Sequence, residues 1–394
     1  MSIQWYPGHM HKAQKQIKEI LPKVDLLIEV LDARIPYSSE NPHITELRGD
    51  KPCIKVLSKT DLADPVLTAR WQEYFEKEKG VKTLGITTTQ PAKTKQLIDL
   101  CKKLLPHKAD GQETIYTMIV GIPNVGKSTL INTLAGRPIA KTGNEPAVTK
   151  SQQRINLGDG IILMDTPGIL WPKVENPKSS YRLATTGAIK DTAMEYADVA
   201  YFAADYLLTA YPALLKQRFD LEELPRTEVE LMDKIAARRG CLRSGGIANT
   251  HKVSEILINE LRDGSLGLIT LETPEMIDIE KVEVAEAIAR KAEKKAQRLR
   301  DRKKGTRDVE QQVRNKFERK GLDPLTGQEL PKAKPKAPAA AKKKTKTDAP
   351  SGNVKTTSTK KSANTTKTTK TTSNKHMGPR IAGLSSRPNK PRRR

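Results

Sequence analysis

The feature that most constrains the fold of this chain is the stretch Gly121–Thr129, which reads GIPNVGKST. It follows the apolar run IYTMIVG and precedes a helical pattern, so a buried strand should end where the glycines begin. Glycines at this place let backbone N–H groups close around a phosphate, at the positive end of the following helix. In this pattern Lys127 reaches the outer phosphate oxygens and Ser128 offers its hydroxyl to Mg²⁺. The stretch therefore predicts an α/β fold with a phosphate loop, whose nucleotide-contacting residues are Asn124, Val125, Gly126, Lys127, Ser128 and Thr129.

Short apolar runs elsewhere predict the other strands of a largely parallel sheet, with amphipathic helices between them. We expect strands at 25–33, 52–57, 81–86, 115–121 and 160–165, and helices at 9–21, 66–79, 93–105 and 127–135. From about 176 to 274 the strand signal disappears. Val253, Ile256, Leu257 and Leu261 have the spacing of an amphipathic helix, with Asn249 or Thr250 as its cap. A highly charged helix over about 282–319 follows.

The last 64 residues differ in composition from the rest. Pro331–Arg394 contains nineteen Lys or Arg, one acid and no aromatic residue, and so carries +18 of the formal net charge of +24. Such a segment has too little apolar surface to offset its chain entropy, and we expect it to be disordered. A cationic arm suggests a polyanion such as RNA or DNA. The alternative is a tail that only keeps the protein soluble.

These shifts in pattern predict four segments. They are a nucleotide-binding domain at 1–175, a small all-helical domain at 176–275, a charged helical extension at 276–330 and the Lys-rich tail at 331–394. Cys53, Cys101 and Cys241 lack the spacing of a zinc site or a disulfide framework. With no apolar run of membrane-spanning length and no signal peptide before Ile3, the sequence predicts a soluble, cytoplasmic protein without a membrane partner.

A second motif, Asp165-Thr166-Pro167-Gly168, ends a predicted strand behind the phosphate loop. An aspartate there can hold Mg²⁺ through a water, and the Gly168 N–H can contact a γ-phosphate. Thr149 lies between the two motifs, where a switch threonine would complete the Mg²⁺ shell. At this distance behind a phosphate loop, the sequence DTPG predicts a nucleotide-dependent switch.

A third motif, Ser58-Lys59-Thr60-Asp61, follows the strand at 52–57. A buried aspartate accepts two hydrogen bonds from guanine N1–H and the 2-amino group, which adenine cannot supply, and the lysine stem can lie over the base. The usual motif begins with Asn, so Ser58 removes an amide and is expected to loosen nucleotide binding. Thr87 and Thr88, at the end of the next strand, would cover the base. Alone, SKTD is also a common capping turn.

The order of these motifs is unusual, because the base-reading element precedes the phosphate loop. Joining the old termini of a GTPase and opening the chain elsewhere would give this order and would preserve the folded site. We therefore predict a circularly permuted GTPase domain. In this arrangement the chain leaves directly after the second switch, so a movement there on hydrolysis would pass into the helical domain.

Together these motifs closely resemble the ribosome biogenesis GTPase A (YlqF) family of bacterial permuted GTPases, over about residues 3–275. The resemblance is also carried by WYPGHMHKA (5–13), DARIPYSSENP (32–42) and RRG…GG…LRDGSLGLITLE (238–272). It implies a monomer that binds GTP or GDP with Mg²⁺, binds ribosomal RNA through its helical domain, and hydrolyses GTP during late assembly of the large ribosomal subunit.

The resemblance also implies roles for two further residues. Ile169 stands where many GTPases place a water-orienting glutamine, and an isoleucine cannot hydrogen-bond water. The family histidine proposed for that role falls on His9, although a lone histidine near an N-terminus is otherwise most often a surface residue. Asn124 resembles the asparagine that helps bind K⁺, which would add positive charge between the phosphates. Catalytic roles are thus expected for His9, Lys127 and Thr149.

Other function classes remain open at this stage. A guanine-nucleotide-gated RNA-binding scaffold with negligible turnover would have the same motifs. A phosphate-loop kinase for a small metabolite would not explain Asp61 or the basic tail. The permuted GTPases that act on the small subunit have an N-terminal OB barrel and a zinc cluster, neither of which is visible in this sequence.

Overall fold

The computed structural model describes residues 3–87, 90–140 and 153–329. Predictions for Thr88, Thr149 and the tail fall outside these described residues. The chain divides into two units, Met1–Val313 and Arg314–Arg394, and the features below belong to the first unless stated. The four-segment division stays a prediction. Within the described residues, no helix combines the length and apolar character needed to cross a bilayer.

The described residues form one mixed sheet of six strands, confirming the five predicted strands and adding one. The strands are β1 (Leu26–Asp32), β2 (Cys53–Ser58), β3 (Val81–Gly85), β4 (Ile115–Gly121), β5 (Gln153–Gly158) and β6 (Ile161–Asp165). Their order is β3-β2-β1-β4-β6-β5, and every neighbouring pair is parallel except β5 and β6. The edge strand β5 escaped prediction because Ile155 is its one buried residue.

Helices connect these strands and form the second half of the unit. They are α1 (Gly8–Ile20), α2 (Pro42–Arg48), α3 (Pro65–Glu76), α4 (Pro91–Leu104), α5 (Pro106–Asp110), α6 (Lys127–Ala135), α7 (Pro177–Thr185), α8 (Tyr196–Ala210), α9 (Pro212–Phe219), α10 (Glu228–Arg238), α11 (Thr250–Asp263) and α12 (Pro274–Arg319). Proline at the first turn and an Asn or Asp cap, as at Asn41 and Asp64, explain several of these starts. Asn249, rather than Thr250, caps α11 by accepting from the Lys252 N–H.

The charged helix α12 begins eight residues earlier than the predicted position near 282. The Thr273 hydroxyl accepts a hydrogen bond from the Met276 N–H, and Pro274 fits the first helical position. Ile277 and Glu280 in its first turns are buried, so packing extends the helix toward its N-terminus beyond the charged pattern.

A buried ionic network joins the loop after β1 to the helical region. Arg182 on α7 donates to both carboxylate oxygens of Glu280, at 2.8 and 2.6 Å, and lies 3.5 Å from Glu272. Glu272 in turn accepts from the Ser38 N–H at 2.9 Å. Because removing one member would leave an uncompensated buried charge, these residues hold the sheet and the helices in a fixed arrangement. The strand ends that carry the sequence motifs all face the same edge of this sheet.

Candidate functional site

The phosphate loop lies between β4 and α6, as predicted, and its glycines have conformations that other residues rarely adopt. Gly121 has φ of 154°, and a Cβ there would lie 2.5 Å from the Val30 carbonyl oxygen of β1. Gly126 has φ of 101° and precedes the first residue of α6, where no side chain caps the helix. The N-terminus of α6 therefore offers backbone N–H groups to an anion.

Lys127 is buried in this loop and bends back onto it. Its Nζ donates to the carbonyl oxygens of Gly121 and Ile122, both at 2.9 Å. Burial lowers the pKa of Lys127 to about 8, against the opposing effect of Asp165. A phosphate arriving at the loop would replace weak carbonyl partners with a charged one, which strengthens the hydrogen bond.

Asp165, at the end of β6, carries the clearest sign of a missing ligand. Its Oδ2 is buried and has no hydrogen-bond partner among the described residues. Burial raises the pKa of Asp165 to about 6, although Lys127 acts in the opposite direction. A buried carboxylate oxygen without a partner is costly unless a cation or its water binds there. Together with the half-buried Ser128 in the first turn of α6, this donor set fits Mg²⁺.

Gly168 brings the second switch against the phosphate loop. A Cβ at this position would lie 3.0 Å from the Pro123 Cα and 3.1 Å from the Lys127 Nζ, so the close approach depends on glycine. The next residue, Ile169, donates its N–H to the Gly121 carbonyl at 3.2 Å and is itself buried. The position that holds a water-orienting glutamine in many GTPases is thus packed in the core.

At the base end, Ser58 ties the end of β2 to the phosphate loop. Its Oγ lies 2.8 Å from the Leu31 carbonyl oxygen and 2.6 Å from that of Val125. The hydroxyl has one hydrogen and donates to one of them at a time. Ser58 lacks the side-chain amide that Asn has in the usual motif, but its hydroxyl still lies within hydrogen-bonding distance of the phosphate loop.

Lys59 pairs with a residue that the sequence analysis did not single out. Its Nζ lies 2.9 Å from Asp32 Oδ2, and Arg34 contacts the same carboxylate at 2.9 Å. Burial would raise the pKa of Asp32, but these two cations hold it well below its ordinary range. Both new residues belong to the stretch DARIPYSSENP, whose charged residues at a strand end were the available signal.

Asp61 is exposed, and its side chain has no hydrogen bond or ion pair with the described residues. The turn that carries it is fixed by the Thr60 N–H, which donates to the Ile86 carbonyl at 3.3 Å. Thr87, the next residue, is buried beside that turn. The structure therefore brings the ends of β2 and β3 together, with a carboxylate open to a ligand.

Asn124 connects the phosphate loop to the helical region. Its Nδ2 donates to the Gly187 carbonyl at 2.9 Å, and its φ is 56°. Arg262 on α11 holds the same turn through the Thr185 and Ala184 carbonyls, at 2.9 and 2.8 Å. Gly187 and Arg262 were not predicted as neighbours of the site, because they are far from Asn124 in sequence and no local pattern links them to it.

His9 lies in the first turn of α1 and is exposed. Its neighbour Met10 is buried, and the Met10 Sδ accepts a hydrogen bond from the Leu170 N–H at 3.5 Å. The start of α1 therefore packs where the chain leaves the second switch. In the described part of the chain no hydrogen bond or ion pair joins His9 to Lys127 or Asp165, and Thr149 and Thr88 lie outside that part.

Comparison with known proteins identifies relatives of this chain. The model of a family described as a 50S ribosome-binding GTPase matches residues 116–234. The chain is similar to a ribosome biogenesis GTPase A of Priestia megaterium, with 48% identity over 70% of this chain and 98% of that protein. A ribosome biogenesis GTPase A of Thermotoga maritima is 30% identical over 70% of this chain and 96% of that protein. A crystal structure titled GNP-bound YlqF from T. maritima aligns with a TM-score of 0.49 and 27% identity, covering 67% of this chain and 99% of that one.

Proposed function

This chain belongs to the ribosome biogenesis GTPase A family, and from that premise we propose that it hydrolyses GTP on the large ribosomal subunit late in assembly, while bound to ribosomal RNA. It is a GTPase of ribosome biogenesis with a circularly permuted nucleotide site. Within the proposal it acts as a monomer in the cytoplasm, and the helical segment 176–275 contacts the RNA. The observation that carries the proposal is the buried Asp165 carboxylate beside Lys127, whose Oδ2 has no hydrogen-bond partner in the described part of the chain.

Each site residue has a proposed part in binding. Lys127, Ser128, Thr129 and the backbone of Val125 and Gly126 hold the phosphates, and Ser58, Lys59, Asp61, Thr87 and Thr88 surround the base. Ser128, Asp165 and Thr149 would hold Mg²⁺, which when bound stabilises charge that develops on the transferred phosphoryl group. A K⁺ ion would be bound through the Asn124 amide oxygen, because the amide nitrogen is a donor.

The second candidate is an RNA-binding scaffold that is gated by guanine nucleotide and turns over slowly. Two observations favour a slow intrinsic rate: Ile169 is buried at the position of the usual water-orienting residue, and His9 is exposed. A bound subunit could bring His9, or a group of its own, to the γ-phosphate. The two candidates therefore differ in whether the subunit accelerates hydrolysis.

Phosphate release measured with the protein alone, with large subunits and with small subunits tests the proposal. We expect strong stimulation by large subunits and little by small ones. Stimulation by small subunits alone would overturn the main proposal. Nucleotide-dependent binding to large subunits without faster hydrolysis would favour the scaffold. Repeating the assay with Na⁺ in place of K⁺ tests the K⁺ site, for which we expect a lower rate.

A further inference from the structure

The exposed middle of α12 has a charge pattern that the nucleotide site does not use. Between Arg290 and Lys303 the sequence has eight Lys or Arg and two acids. All of these side chains are exposed. The segment lies beyond the predicted helical domain at 176–275. It is folded as a helix, whereas the composition of the tail predicts disorder.

Four of these cations are spaced to share one face. Arg290, Lys294, Arg298 and Arg302 follow one another at intervals of four residues, and we call them the basic row. On an α-helix each interval of four residues turns by only about 40°, so the row follows one inclined ridge that extends over ~18 Å along the axis in steps of ~6 Å. Lys291 and Lys295 lie beside it. The row is therefore a linear array of positive charge.

The basic row is poorly neutralised by the protein. Arg290 lies 3.6 Å from Glu286, whereas Lys294, Arg298 and Arg302 form no ion pair within the described part of the chain. Of the two nearby acids, Asp301 accepts a hydrogen bond from Gln297 at 2.9 Å. Like charges four residues apart destabilise a helix by about 0.2–0.5 kcal/mol per pair. A partner with a row of negative charges would relieve that repulsion.

We propose that the basic row of α12 is a docking surface for the phosphate backbone of double-helical RNA. This inference rests on the proposed ribosomal function, which brings the chain to RNA. Regularly spaced phosphates match a linear array of Lys and Arg, and such contacts position a protein without reading sequence. A membrane surface fits less well, because the apolar residues from 289 to 303 are alanines and one leucine, Leu299, which gives no broad apolar face.

The chain offers a matched control on the same helix. Arg300, Lys303 and Arg307 are exposed and lie on roughly the opposite side, since each residue advances by about 100°. The test variant replaces Lys294, Arg298 and Arg302 by Gln, and the control replaces Arg300, Lys303 and Arg307 by Gln. Both full-length variants lose the same charge and keep the tail, so a difference between them reports the face.

Binding to an RNA duplex of about 20 base pairs, titrated over a range of salt concentrations, is the measurement. We expect the test variant to lose up to ~3 from the slope of log affinity against log salt, and on the order of 10²-fold in affinity at ~0.1 M salt. The control should change less than about threefold. Circular dichroism should show unchanged helix content for both.

Equal losses in the two variants would overturn the inference, because net charge alone would then explain binding. So would a loss of binding to vesicles containing anionic lipid by the test variant, with RNA binding intact. The stimulation of GTP hydrolysis by large subunits reports the proposed function separately. A chain that is not stimulated, yet binds the duplex through the basic row, would refute that function and leave this surface in place.

Discussion

The phosphate end and the base end of the nucleotide site differ in how far the protein holds its own chemistry in place. At the phosphate end, Lys127 and Asp165 are buried, and Lys127 already donates two hydrogen bonds to loop carbonyls. At the base end, Asp61 is exposed, and among the described residues its side chain has no partner. Lys127 at the phosphate end is thus already held by the protein, whereas Asp61 at the base end would gain a partner only from a bound ligand.

This difference has an energetic meaning. Buried charges that lack full compensation destabilise the empty protein, and a ligand that supplies the missing partner gains that free energy on binding. An exposed carboxylate is solvated in the empty protein, so a ligand with matching donors only replaces its hydrogen bonds to water. A ligand without those donors leaves the carboxylate unpaired, and the carboxylate therefore discriminates between ligands. The phosphate end should therefore govern affinity and turnover, and the base end should govern which nucleotide is chosen.

The largest effect is expected at the phosphate end, from Lys127→Ala. The variant loses charged hydrogen bonds to the phosphates, and kcat/KM for GTP should fall roughly 10³-fold, through both binding and turnover. Lys173→Ala is the control, because Lys173 is an exposed lysine that contacts Glu175. Steady-state kinetics of both variants decide the point. Wild-type affinity in Lys127→Ala would mean that the backbone of the loop alone binds the phosphates.

The base end should respond differently to Asp61→Asn. The amide can donate where the carboxylate accepted, so guanine's 2-amino group meets a donor, whereas xanthine has an oxygen there. GTP affinity should fall roughly 10²-fold or more, and affinity for xanthosine triphosphate should rise. Titration of both nucleotides against wild type and variant measures the change. A variant that keeps its preference for GTP would reduce SKTD to a turn.

The two ends also differ in what could be predicted from sequence. The phosphate loop was predicted with its strand and helix, because glycine conformation and helix polarity are local properties: β4 and α6 occupy the predicted residues. The partner of Lys59 was not predicted. Asp32 lies on a neighbouring strand, and nothing in the SKTD stretch specifies which strand packs beside it.

Long-range ionic contacts also could not be predicted from the local sequence. Ser38 and Glu272 are 234 residues apart, and both stretches were noted for their family resemblance without a physical role. The structure gives that role, since Glu272 and Arg182 form the buried network between the sheet and the helices. The strand β5 escaped prediction for a different reason, because its burial pattern is mostly exposed.

A third prediction asks whether the phosphate end is complete without a subunit. His9→Ala should leave GTP affinity near that of wild type, because His9 contacts no phosphate-loop residue among those described. Subunit-stimulated turnover should fall on the order of 10²-fold if His9 positions water or a proton. His11→Ala is the control, since His11 packs against Tyr6. Equal kcat for His9→Ala and wild type on large subunits would remove His9 from the site.

The pKa of Asp165 gives the phosphate end a pH dependence that the base end should lack. Because its pKa is raised to about 6, the carboxyl holds a proton in the empty protein below that pH, and Mg²⁺ binding would have to displace it. Below about pH 6, the Mg²⁺-dependent part of GTP affinity should fall about tenfold per pH unit. Asp165→Asn should bind GTP with Mg²⁺ weakly and without this pH dependence. Protonation of the nucleotide itself affects both proteins equally, so the variant is the control for it.

The same carboxyl should also affect the stability of the nucleotide-free protein. A folded-state pKa above the unfolded value contributes stability that is present at acid pH and lost as pH rises through about 6. Relative to Asp165→Asn, the wild-type protein should therefore lose thermal stability over that range. Parallel pH profiles for the two proteins would show that Asp165 does not titrate there.

The smallest effect is expected at Ser58, the residue that joins the two ends. Ser58→Ala removes a hydroxyl that lies within hydrogen-bonding distance of the Leu31 and Val125 carbonyl oxygens, both of which belong to buried residues. A neutral hydrogen bond contributes about 0.5–1.5 kcal/mol, so GTP affinity should fall roughly fivefold. Ser58→Thr keeps the hydroxyl at the end of a strand, where a β-branched residue is suitable, and its GTP affinity should be closer to that of wild type.

Titrations with GTP and with xanthosine triphosphate would show whether Ser58 positions the phosphate loop or helps to read the base. Equal losses for both nucleotides mean that Ser58 acts by positioning the phosphate loop. A loss confined to GTP would mean instead that Ser58 belongs to the base reader, and that the two ends are less separate than their burial indicates.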